Sequence, residues 1–189
     1  MIKIAVFASG NGTNAENIIK YFQNHPKIKV DLVASNNLQA NVLKRARKHF
    51  IAIFPFLPSD LKNGKVAEYL KNQEISFIVL AGFLLKIPTN LISTYPNKII
   101  NIHPSLLPLY GGRGMYGINV HKKVFEDGNT QTGMTIHFVN EDYDDGAIIF
   151  QAKCSINKYD SIKEIANKVH KLEKKFFPKI IEGLLDEQY

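Results

Sequence analysis

Apolar and polar runs along this chain read as strands separated by helices for most of its length. Residues 2–8, I-K-I-A-V-F-A, are apolar almost without a break, the pattern of a parallel strand covered on both faces. A helix to about Phe22 follows, with Ile18, Ile19 and Phe22 apolar. Residues 29–34 read as a second strand, 40–49 as a helix and 51–54 as a short strand, and Ser59 reads as the N-cap of a helix ending near Lys71. Residues 77–81 form another buried strand, and Pro88 opens a further helix. This alternation predicts an α/β fold, a wound and mostly parallel sheet with helices on both faces.

The pattern changes after residue 98. K-I-I-N-I-H is a short β-branched strand, and Pro104 cannot donate to a sheet ladder, so the strand should end at His103. Four glycines between 111 and 117 predict a mobile loop, followed by a helix over 119–126 that stops at Asp127-Gly128. Residues 132–139 and 147–152 are β-rich and are expected to be antiparallel additions to the sheet. Ser161 caps a last long helix with Ile162, Ile165, Val169, Leu172 and Phe176 as its apolar stripe.

Composition narrows the class. The chain has 189 residues, 45% of them hydrophobic, which predicts one domain over residues 1–189. Apolar runs such as 75–85 are too short to span a bilayer, and the N-terminus carries no signal pattern, so the expectation is a cytoplasmic protein without a membrane partner. Cys154 is the single cysteine, which excludes an intrachain disulfide and reads as a packed thiol. A net charge of +7 suits an anionic partner, but no basic motif is interleaved with aromatics. Lys168, Lys171, Lys174 and Lys175 read as a solvated helix face, and nucleic acid is not the expected partner.

Candidate chemistry lies in three places. Asn101 and His103 stand two apart on one strand, hence on one face at its carboxyl end, where an open α/β sheet keeps its ligands. An amide and an imidazole there can bind and protonate an oxyanion, or merely satisfy backbone groups. Second, S-G-N-G-T-N after the first strand lacks the lysine of a triphosphate-binding loop. It approximates a dinucleotide fingerprint, yet the second strand ends in Ser35, Asn36 and Asn37 with no carboxylate for a ribose. Gly12, Thr13 and Asn14 suit a single phosphate at a helix start, although a plain capping turn stays open. Third, N-E-D-Y-D-D-G is acidic but lacks EF-hand spacing, and no metal site is expected. His137 reads as a hydrogen-bonded core residue.

Taken together, S-G-N-G-T-N, V-L-A-G-F, N-I-H-P-S-L-L-P and the D-D-G before I-I-F-Q resemble the phosphoribosylglycinamide formyltransferases, purine-synthesis enzymes within the wider folate-dependent formyltransferase family. The likeness covers nearly the whole chain and implies a Rossmann-like formyltransferase fold. It implies that Asn101, His103 and Asp144 form the catalytic set and that Gly12, Thr13, Asn14 and Glu173 bind glycinamide ribotide. It further implies that Leu84, Leu85, Lys86 and Ile87, with Asn101, contact 10-formyltetrahydrofolate as co-substrate. The chain departs from the family pattern at Ser59-Asp60, where an arginine is usual and Lys62 and Lys65 stand nearby. The loop G-G-R-G-M-Y-G is also unusually rich in glycine.

Overall fold

The structure is a computed structural model that describes residues 1–188. Strands β1 (Ile2–Phe7), β2 (Ile28–Ser35), β3 (Ala52–Pro55), β4 (Phe77–Leu80), β5 (Ile99–His103), β6 (Gln131–Phe138) and β7 (Ile148–Ser155) form a seven-stranded sheet in the order β3-β2-β1-β4-β5-β6-β7. The first five strands pair in parallel, whereas β5 pairs with β6, and β6 with β7, in antiparallel fashion.

The unbroken apolar run of β1 has a direct cause. Ile4 and Val6 face one core with helices α1 (Thr13–Phe22), α2 (Asn41–Lys48) and α7 (Ile162–Gln188). Ala5 and Phe7 face a second core with α3 (Pro58–Lys62), α4 (Lys65–Asn72) and α5 (Thr89–Thr94). Both sides of the pleat are therefore dry. No helix among the described residues is long and apolar enough to cross a membrane.

The single helix expected from Ser59 to Lys71 is two helices, because Gly64 adopts φ 88° and breaks the run. Ser59 lies inside α3 rather than capping it; the Asp60 carboxylate accepts the backbone N–H of Leu57 instead. Ser161 caps α7 as read: its Oγ accepts the Glu164 N–H, and the Glu164 carboxylate accepts the Ser161 N–H. The apolar stripe of α7 drifts from the sequence reading, with Ile165, Val169, Phe177, Ile181 and Leu185 fully buried and Leu172 and Phe176 partly so. Of the lysines read as a solvated face, Lys168 is only partly exposed and pairs with Asp160, whereas Lys171, Lys174 and Lys175 are exposed.

Pro178 lies within α7 and has no N–H for the carbonyl of Lys174. Asn17 of α1 donates its side-chain amide to that carbonyl at 3.0 Å, which locks α7 onto α1. Helix α6 (Ile118–Glu126) also packs against α7 and buries Val120, His121 and Val124.

Gly146, the glycine of D-D-G, marks a close approach of backbone to backbone. A Cβ there would stand 1.7 Å from the Phe138 carbonyl oxygen, so no side chain fits without moving β6. Gly146→Ala should therefore lower stability by about 1–3 kcal/mol, the cost of overpacking, read as a lower urea midpoint. An unchanged midpoint would show that the turn relaxes freely.

Candidate active site

The strand order reverses beside β1, whose neighbours are β2 and β4. Loops leaving β1 and β4 thus diverge and open a crevice at the carboxyl ends of the strands. Ser9 stitches these loops together: its N–H donates to the Gly82 carbonyl at 2.9 Å, and its Oγ donates to Asn36 and accepts the Leu84 N–H. A cavity of about 1160 Å³ occupies the crevice. It runs from the Gly10 to Asn14 loop, past Asn101 and His103, to the loop over 112–118, with His170 and Glu173 of α7 along one wall.

Strand β5 ends at His103 as read, and Asn101 and His103 both reach this cavity. Asp144 joins them from the turn between β6 and β7, where φ 55° holds it in the left-handed region. One carboxylate oxygen of Asp144 lies 3.4 Å from His103 Nδ1 and 3.4 Å from Asn101 Nδ2, and the other accepts the Gly112 N–H at 2.9 Å. His103 Nε2 donates to the Tyr110 carbonyl at 2.7 Å. Both ring nitrogens of His103 therefore meet acceptors, the arrangement an imidazolium uses. Burial would raise the Asp144 carboxyl, but hydrogen bonding from His103, the neighbouring His137 ring at 3.7 Å, the His103 charge and the Gly112 N–H outweigh it. They hold Asp144 well below the usual carboxylate range.

His137 belongs to this cluster, which reading it as core alone missed. The register sets Asn101 opposite His137 and His103 opposite Thr135. His137 Nδ1 donates to the Phe138 carbonyl at 2.7 Å, so in the neutral ring Nε2 accepts from Asn101 Nδ2, 3.1 Å away. That fixes which way the Asn101 amide faces. The sequence signal was the alternation T-I-H, matching N-I-H on the facing strand, but only the antiparallel register turns it into a contact.

At the other end of the cavity, α1 begins at Thr13 with no side-chain cap. Residues 10–14 line the large cavity, so the free first amides of α1, with the positive end of the helix dipole behind them, are available to an anion there. Gly12 has φ 74°, and a Cβ there would stand 2.4 Å from Val42 Cγ2, so glycine is required by packing on α2 as well as by the turn. Asn14 is already engaged: it donates to Glu173 at 2.9 Å. Glu173 is only 3% exposed and also holds His170 Nδ1 at 2.8 Å. The Glu173 hydrogen bond raises the His170 pKa against burial, which would lower it. Arg45, unremarked in the sequence, donates Nε to the Asn11 carbonyl at 2.8 Å and pairs with Glu16, bracing the loop from α2.

The 84–87 segment divides between two spaces. Leu84 lines the large cavity, 46% exposed, whereas Leu85, Lys86 and Ile87 line a separate recess of about 60 Å³ with Leu80, Val139 and His137. Phe83, Asn101, Tyr143 and Asp144 line both spaces and form the partition. The recess admits only the edge of a heterocycle at that volume. The Lys86 ammonium sits 5.9 Å from the Tyr143 ring centroid at its rim.

The chain and its fold have close counterparts among known proteins. A family model described as formyl transferase matches residues 2–181. The phosphoribosylglycinamide formyltransferase of Bacillus subtilis is 37% identical over 191 residues, spanning 98% of this chain and 95% of that protein. The chloroplastic phosphoribosylglycinamide formyltransferase of Arabidopsis thaliana is 36% identical over 193 residues, and the chain spans 66% of its length. Among solved structures, the phosphoribosylglycinamide formyltransferase of Bacillus halodurans superposes with a TM-score of 0.89 at 32% identity, covering 99% of this chain and 97% of that one. The family match over residues 2–181, the likeness to relatives along the full length and the shared fold agree: the chain belongs to the formyl transferase family, among its phosphoribosylglycinamide formyltransferases.

Proposed function

We propose that this protein transfers the formyl group of 10-formyltetrahydrofolate to the amine of glycinamide ribotide, a step of purine synthesis, with the whole chain acting as one catalytic unit. One observation carries the reading. The Asn101, His103 and Asp144 cluster stands between the cavity that begins at the α1 helix start and the largely apolar recess behind Asn101 and Asp144, so the reacting groups lie where a phosphate-holding space and a heterocycle-holding space meet. Thr13 and the backbone N–H groups of Gly12 and Asn14 take the phosphate, and Glu173, braced by the Asn14 side chain, takes the ribose hydroxyls. Leu85, Ile87 and Val139 give an apolar wall and Asn101 a polar end, which fits the edge of a folate ring, with Leu84 and Lys86 at the mouth.

When bound, the folate supplies the formyl carbon that the substrate amine attacks. Asn101 and His103 donate to the formyl oxygen as negative charge develops on it, the role in which fixed donors contribute most. The contacts of Asn101 Nδ2 and His103 Nδ1 to Asp144, each at 3.4 Å, are the weak ones that such an oxygen replaces, while the His137 contact keeps the amide turned toward it. The Tyr110 carbonyl orients His103. Asp144, ionised at rest, accepts the proton lost by the attacking amine and passes it to the departing nitrogen, or holds the water through which that proton moves.

Release of deformylated folate on mixing the protein with both substrates is the direct test. Release with another amine but not with glycinamide ribotide would overturn the acceptor assignment. Asp144→Asn should lower turnover about a hundredfold or more while both substrates still bind. The depressed Asp144 carboxyl also contributes stability that is present above its unfolded pKa and lost as pH falls toward its folded value. The stability difference between wild type and Asp144→Asn should therefore shrink in acid; a gap independent of pH would contradict the pairing.

A kinetic split tests the phosphate end. Thr13→Ala should raise the KM for glycinamide ribotide about three- to tenfold, as expected for one lost hydrogen bond, and leave the KM for folate unchanged. Equal changes in both would remove the assignment. Gly12→Val is a poorer probe, because its side chain collides with Val42 and disturbs folding.

A further inference from the structure

His121 is a buried polar side chain that the mechanism above leaves unused. It projects from α6 into the wall of the large cavity and is 2% exposed. It makes no hydrogen bond among the described residues, and its Nδ1 is sealed from solvent without a partner. Three titratable groups face it. His170 of α7 meets it edge-on at 6.4 Å between ring centroids, and Glu173 of α7 and His103 of β5 act on it electrostatically. Burial first, then His170, pushes its imidazole down to about 4, so the ring is neutral under physiological conditions.

A neutral imidazole has one N–H and one lone pair. With the proton on Nδ1, a donor would be buried with nothing to receive it, whereas a sealed lone pair is the lesser loss, as for backbone groups. The proton therefore belongs on Nε2, the nitrogen that is neither sealed nor bonded, on the side of the cavity. Glu173, which marks the ribose end, and His103, at the reacting end, both act on this ring electrostatically, so His121 lines the cavity within range of both. Between the ribose and the amine of glycinamide ribotide stands a single amide, whose carbonyl is the acceptor in the middle of the molecule.

We propose that His121 is a substrate-binding residue whose Nε2–H donates to the amide carbonyl of bound glycinamide ribotide. The proposal rests on the function inferred above. It makes His121 a reader of the glycyl arm, distinct from the groups that hold the phosphate or perform the transfer. A purely structural histidine packed between α6 and α7 would need no particular tautomer and would be replaced without kinetic effect by a ring of similar size.

Two measurements decide it. Imidazole ¹⁵N NMR of the wild-type protein, with His121 assigned by difference against His121→Gln, should show a bare Nδ1 and a protonated Nε2 near neutral pH. An Nδ1–H tautomer or an imidazolium would overturn the proposal whatever the enzyme acts on. His121→Phe keeps the ring and its packing but removes the donor. It should raise the KM for glycinamide ribotide about three- to tenfold, with the folate KM and turnover at saturation nearly unchanged. His121→Gln, which restores a donor, should recover part of the loss. An analogue with a methylene in place of the glycyl carbonyl should bind wild type and His121→Phe equally. An equal penalty on substrate and analogue would overturn the proposal. Failure of the wild type to bind glycinamide ribotide, with the expected tautomer present, would instead locate the error in the acceptor assignment and overturn the contact with it.

Discussion

The site depends on one carboxylate held at a junction of three chain segments. Asp144 meets His103 and Asn101 of β5 with one oxygen and the Gly112 amide with the other, so strand, acidic turn and glycine loop are tied at a single group. An ionised carboxylate can do this because it accepts from several directions at once, and each donor offsets part of the cost of burying it. The backbone is bent to suit. Asp144 itself is left-handed at φ 55°, as is Tyr110 at φ 59°, whose carbonyl receives His103. Strain of this kind persists only where surrounding contacts impose it, and here those contacts are the site. Gly111 shows how tight the junction is, since a Cβ there would stand 2.7 Å from Leu107 and 3.2 Å from Asp144.

The far end of the cavity depends on a different constraint, the docking of α7. Glu173 and His170 face the β1 loop because α7 lies along α1, and the fit includes a missing hydrogen bond. Pro178 leaves the Lys174 carbonyl without its helical donor, and Asn17 fills that position from α1. A proline that would weaken an isolated helix thus becomes part of its attachment. Asn14, one turn earlier on α1, reaches Glu173 in the same direction. The interhelical contact and the binding wall are one row of side chains on α1.

Most of the fold was legible in the sequence because its strands are buried on both faces and read as unbroken apolar runs. The end of β5 at His103 and the cap at Ser161 followed from local chemistry alone. The break at Gly64 was missed because a single glycine in a helical pattern is ambiguous until its φ is known. For the site, Asn101 and His103 could be read from strand alternation. Asp144 and Glu173 were placed only by family likeness, since neither lies near β5 in the chain. His137, Arg45 and His121 were not found, because their significance comes from register and helix docking, which one sequence does not state.

The switch from parallel to antiparallel pairing at β5 explains why the chemistry lies at this edge of the crevice. In the parallel half, successive strands are joined through helices, and their carboxyl ends supply loops with no residue of a neighbouring strand returning to them. Antiparallel β6 runs back along β5 and sets His137 directly across from Asn101, so a side chain from each strand meets at the same level. The pairing of β6 with β7 shifts register between Ile136 and His137, an irregularity of the kind that re-aims side chains beside functional sites. The turn that follows then carries Asp144 back over the strand end, with Gly146 allowing it to lie against the Phe138 carbonyl. Parallel strands open the cavity, and the reversed pair delivers the groups that act in it.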